Sequence, residues 1–94
     1  MKKTEMQLIA ESVLEEMART GKGENLLRKY RKNGFDELLR YFRQHGESEY
    51  SDDLIDDFVN LTRHKYEQGD ISRWAWGMVF SSAGQLKHFR RYGC

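Results

Sequence analysis

Proline is absent from this 94-residue chain, and cysteine occurs once, at Cys94. With no proline, no helix needs to be broken or kinked. One cysteine cannot close an internal disulfide, so a reducing, cytoplasmic setting is the natural expectation. No apolar run approaches the ~20 residues of a membrane span. The opening MKKTEMQLIAESV also lacks the apolar core of an export signal. Glycine-rich phosphate loops are missing too, since Gly21-Lys22-Gly23 is too short to form one. His45, His64 and His88 are too scattered for a zinc site. The cluster Asp52, Asp53, Asp56 and Asp57 has neither the glycine turn nor the bidentate glutamate of a calcium loop. No metal, cofactor or membrane partner is therefore expected. What the chain does have is 13% aromatic residues, which argues for a folded core. Its length allows one domain with a core of modest size.

Charge is plentiful but segregated. Residues 21–43 hold seven Lys/Arg against three Asp/Glu, residues 47–57 hold six acids and no base, and residues 63–91 hold six bases against two acids. The formal net charge of +1 thus conceals segments of opposite sign. A basic face on a small domain is the electrostatic footprint expected for a polyanion partner.

Apolar spacing predicts an all-α fold, a compact four-helix bundle with helices over about 4–19, 24–45, 51–68 and 72–92. In the first helix Met6, Ile9, Ala10, Val13 and Met17 recur at helical spacing, and Gly21 follows as a stop. The second contains Asn33-Gly34, ordinarily a turn signal. The stripe Leu27, Tyr30, Gly34, Leu38 and Tyr41 nevertheless runs through it unbroken, so Gly34 is expected to face a neighbouring helix at close range. Ser51 can cap the third helix, and Asp52 and Asp53 suit the positive end of its dipole. Its inward stripe is Leu54, Ile55, Phe58, Thr62 and Tyr66, closed by Gly69. The fourth helix turns Ala75, Val79, Ser82, Ala83, Leu86 and Phe89 inward, and its basic last turn suits the dipole's negative end.

The remaining faces carry the candidate site. Asn25, Arg28, Lys29 and Lys32 point away from the second helix's apolar stripe. Lys22 precedes that helix, where free N–H groups favour phosphate. The outer face of the fourth helix reads Arg73, Gly77, Phe80, Ser81, Gly84, His88 and Arg91, small residues between bases. Trp74, Trp76 and Phe80 exceed what one inward stripe can bury, so part of this set is expected in a contact surface.

Several segments in register then resemble one known family. GKGENLLRKY at 21–30 is similar to the Gly-x-Ser-x-x-Thr-Leu-x-x-Tyr opening of a long helix in the N-terminal SAM-like, or core-binding, domain of tyrosine recombinases, the phage integrases. Tyr41 and Phe42 match the hydrophobic end of that helix. YSDDLIDDFV at 50–59 resembles the family's capped acidic helix, YEQGDISR at 66–73 its link to the last helix, and LKHFRRYG at 86–93 its L-x-x-F-x-x-x-G ending. Gly23 and Leu26 stand where the family commonly has serine and threonine, so phosphate contacts from those hydroxyls are not expected.

The resemblance implies a single core-binding domain over 1–94, the N-terminal part of a longer bacterial or phage-encoded integrase. It implies duplex DNA as partner, gripped at a recombination core site through the second and fourth helices. A separate C-terminal catalytic domain and other recombinase protomers would complete the assembly. On this reading Lys22, Arg28, Lys29 and Lys32 contact phosphates and Asn25 reaches a base edge, while Arg73, Ser81, Lys87 and Arg91 contribute from the fourth helix. No catalytic residue is expected. His88 to Arg91 spells H-x-x-R and Tyr92 follows, but one helix end cannot place a tyrosine opposite an arginine/histidine cradle. The alternative is a helical protein-interaction domain docking through Trp74, Trp76 and Phe80.

Overall fold

Side-chain oxygens start three of the helices. Thr4 Oγ1 accepts the Gln7 N–H at 3.1 Å while the Gln7 side chain accepts the Thr4 N–H at 2.9 Å, a reciprocal capping box. Ser51 and Ser72 each accept an N–H three residues on, from Leu54 and Ala75. In the computed structural model, which describes residues 2–93, these caps open α1 (Glu5–Arg19), α4 (Asp52–Glu67) and α5 (Arg73–Tyr92). Between them lie α2 (Glu24–Tyr30), a π-helical turn (Arg31–Phe35) and α3 (Asp36–Gln44), which form one continuous rod because the backbone stays right-handed helical across both junctions. The result is the all-α bundle of four rods that the apolar spacing predicts. Cys94 lies outside the described residues.

The second rod shows what the Asn33-Gly34 pair does. It does not break the helix but widens it: the Asp36 N–H reaches back five residues to the Arg31 carbonyl. Asn33 Nδ2 donates to the Lys29 carbonyl at 3.2 Å and so takes up an acceptor inside the rod. Gly34 is buried against α5. A Cβ at this position would sit 1.9 Å from Ser82 Oγ, 2.8 Å from Ser82 Cβ and 3.1 Å from the Met78 carbonyl oxygen. Only glycine fits such an approach without displacement.

The wide turn also corrects the inward stripe. One extra residue in a turn rotates everything after it by about 100°. Beyond the turn Leu38 is buried as expected but Tyr41 is only half-buried; before it, Leu27 and Tyr30 are also half-buried, at the edge of the core. The deepest aromatics are instead Phe35 and Phe42, each 1% exposed. They join Met6, Ile9, Ala10, Val13, Leu14 and Met17 of α1, Ile55 of α4, and Ala83 and Leu86 of α5 in one core. On α4, Ile55 and Thr62 are buried, Leu54 and Phe58 pack against the core, and Tyr66 is half-buried. On α5, Met78 joins the expected Val79, Ser82, Ala83 and Leu86.

Helix α5 touches every other element and is the spine of the molecule. The α3–α4 loop is fastened to the start of α1: the Met6 N–H donates to the Ser48 carbonyl at 3.2 Å, and the Tyr50 N–H to Glu5 Oε1 at 2.8 Å. Gly46 and Gly69, with φ of +66° and +81°, end α3 and α4 in the left-handed conformation that glycine adopts without strain. Among the described residues there is no strand, and no helix is long and apolar enough to cross a membrane.

Candidate nucleic-acid interface

Helix α2 buries none of its residues, so it lies on the molecular surface. Gly23 caps it, and among the described residues no side-chain hydrogen bond caps its start. Lys22, Asn25, Arg28, Lys29 and Lys32 are all exposed around it. Among the described residues, none of the four bases in this set forms an ion pair. Arg31, the remaining base of the run, lines a cleft of about 340 Å³ with Glu11 and Glu15 of α1. It therefore belongs to the α1 side of the rod.

Tyr30 connects this basic element to α5. Its hydroxyl lies 2.9 Å from Ser81 Oγ, across 51 residues of chain. Ser81 is thus brought to the α2 group, half-buried and already engaged in a hydrogen bond. Beside it runs an open strip of α5: at Gly77 and Gly84 nothing beyond the local helix backbone lies within 4 Å of where a Cβ would be, and Phe80 is 61% exposed. Trp74 is 51% exposed, whereas Trp76 is half-buried with its ring 5.5 Å from that of Phe80.

The other three residues lie at the ends of α5. Arg73 is exposed at its first turn. Lys87 and Arg91 are near its last turn, on the order of 20–27 Å further along the axis at 1.5 Å per residue. Lys87 is not free, because its ammonium forms an ion pair with Asp56 on α4. Nearby, the Tyr50 hydroxyl donates to Asp52 Oδ1 at 2.5 Å, and the Arg90 guanidinium lies 5.3 Å from the centre of the Tyr50 ring. Burial, then the Asp52 hydrogen bond and charge, push the Tyr50 phenol well above its usual value and keep it a neutral donor. Sequence reasoning missed this acid–base junction. The acids and bases were visible, but not their approach across 31 residues.

A second cleft, about 560 Å³, brings Lys2, Lys3, Arg40 and Arg43 together with Asp36 and Glu47. Lys3 pairs with Glu11 and Arg40 with Glu37, so much of its positive charge is compensated. Among the described residues, no three His, Cys, Asp or Glu side chains converge as a metal site would require. The nine sequence-nominated residues thus separate into a group on α2 joined by Ser81, an isolated Arg73, and a pair at the far end of α5 of which Lys87 is engaged by acid. No family model matches the chain, and neither a curated protein nor a solved structure matches it.

Proposed function

We propose that this chain is a duplex-DNA-binding module of the kind that positions a tyrosine recombinase on its core site. The observation that carries the reading is the surface of α2: Lys22, Arg28, Lys29 and Lys32 stand exposed with no acidic partner among the described residues, around a helix start that no side chain caps. Unpaired bases can neutralise phosphates, and first-turn N–H groups add donors of the right polarity. Asn25 would supply a base-edge contact, because its amide both donates and accepts. Arg73 extends the phosphate contacts, and the open strip at Gly77 and Gly84 lets a groove wall approach the α5 backbone. The motif order described above adds the recombinase context, which makes a separate catalytic domain and further protomers the partners, inside a bacterial cell. We assign cleavage to that other domain. His88 and Tyr92 are in tilted ring contact at 4.8 Å with Arg91 on the same helix end, whereas attack on phosphate needs the tyrosine opposite an arginine/histidine cradle.

The test is a titration of the isotopically labelled chain with duplex DNA at low salt, followed by NMR. Amide signals of α2 and the middle of α5 should move, and log affinity should fall with log salt by about 0.9 per phosphate neutralised. If no signal in those elements moves, the reading is wrong. A second reading is favoured by the exposure of Trp74 and Phe80: a protein-docking module using Trp74, Trp76 and Phe80. It predicts association with another protein that is insensitive to the α2 bases.

A further inference from the structure

The acidic block of the sequence is folded against the basic end of α5. Tyr50, Asp52 and Asp56 form one side of a cavity of about 510 Å³, and Lys87, Arg90 and Arg91 form another. Within it Asp56 pairs with Lys87, Asp52 is held by the Tyr50 hydroxyl, and Arg90 covers the Tyr50 ring. The Lys87 and Asp56 side chains are 40% and 55% exposed, so the pair stands at the surface where a phosphate could reach it. Any phosphate approaching Lys87 must displace the Asp56 carboxylate and then remain beside it and Asp52. Nothing comparable guards Lys22, Arg28, Lys29 or Lys32, which have no ion-pair partner among the described residues.

We infer that Asp56 withholds Lys87 from nucleic acid and so weakens the attraction of the far end of α5, favouring the α2 side. This rests on the DNA-binding reading. It makes Asp56 an affinity-limiting and orienting residue: it lowers attraction where a nonspecific basic surface would otherwise continue, and biases which edge of the bundle meets DNA. A lysine held by a carboxylate neutralises no phosphate and so releases no counterion from the DNA, and it adds little to the salt dependence of binding.

The experiment compares wild type, Asp56→Asn, Lys87→Ala and the double variant by fluorescence anisotropy with a labelled duplex across a salt series. Asp56 is exposed, so its amide variant should keep the fold, which a thermal melt checks. Asp56→Asn should bind several-fold tighter at low salt, with a log–log slope steeper by about 0.9, the value of one more phosphate contact. Lys87→Ala alone should match wild type, and the double variant should lose the gain. The inference is overturned if wild type binds but Asp56→Asn changes neither affinity nor slope. It is equally overturned if the gain survives loss of Lys87, or if Lys87→Ala alone weakens binding. If neither wild type nor Asp56→Asn binds duplex at low salt, the DNA-binding reading itself fails and takes this inference with it.

Discussion

At the scale of single residues, the contact between Gly34 and Ser82 is the tightest constraint in the fold. Ser82 is fully buried, and its hydroxyl has no hydrogen-bond partner among the described residues. Two effects compete on replacing Gly34 with alanine. Helix propensity would gain about 1 kcal/mol. Overpacking would cost about 1–3 kcal/mol, and here the Ser82 hydroxyl could rotate aside but its Cβ and the Met78 carbonyl could not. Gly34→Ala should therefore lower stability on balance, by about 1 kcal/mol or more in denaturant unfolding. Ser82→Ala removes a buried, unpaired hydroxyl and should be neutral or stabilising by up to about 1 kcal/mol in the same assay. Tyr50 gives a residue-scale test of a different kind. Its phenol ionises later in the folded chain than in the unfolded chain, because burial and Asp52 oppose the charge. The folded state then holds a proton that the unfolded state releases near pH ~10, so this contribution is intact below that pH and declines as pH rises above it. Stability measured up an alkaline pH series should fall more steeply for wild type than for Tyr50→Phe.

At the scale of elements, the helix starts divide into three that a side chain caps and one that none does. Thr4→Ala breaks a complete capping box and should cost about 0.5–2 kcal/mol, read as a lower thermal midpoint. Gly23 has an extended backbone (φ −67°, ψ 153°) that any residue adopts, with open space where a Cβ would go. Gly23→Ser should consequently raise stability by a few tenths, about 0.3 kcal/mol. It also restores a hydroxyl at the start of α2, so under the DNA-binding reading affinity should rise rather than fall. The junction between elements is held differently, through Tyr30 and Ser81. Much of this anatomy was legible in the chain: the cap at Ser51, the stop at Gly69, and the close approach at Gly34; the cap at Ser72 was not. Nor was the wide turn. Asn33-Gly34 signals equally a break, a straight helix with an inward glycine, or a helix one residue too wide. Which of these forms depends on how α5 meets it.

For the molecule as a whole, charge decides more than composition suggests. Linear segments give two positive regions and one negative, but folding lays the negative one against the end of the second positive one. On α2 the bases Lys22, Arg28, Lys29 and Lys32 stay unpaired among the described residues, as Arg73 and Arg91 do at the ends of α5. Under the DNA-binding reading, replacing Arg28 and Lys32 together by glutamate should abolish binding and leave the thermal midpoint nearly unchanged, because both residues are exposed and unpaired among the described residues. Trp74→Ala with Phe80→Ala should likewise spare stability, since both rings stand largely in solvent. If that pair abolishes association with a protein partner while the glutamate pair does not, the docking reading replaces the DNA reading.

The sequence by itself determined what depends on neighbours along the chain. Helix starts and ends, the all-α class, and the ordering of charge follow from side chains within a turn or two of one another. Tertiary structure alone decided that Phe35 and Phe42, rather than Tyr30 and Tyr41, are the deepest aromatics of the second rod. It decided that Ser81 is tied to Tyr30, and that Lys87 is held by Asp56 while Lys22, Arg28, Lys29 and Lys32 are left open. Those outcomes depend on pairs 31 and 51 residues apart and on a single wide turn that rotates everything beyond it. Periodicity along one helix carries no information about what lies across from it.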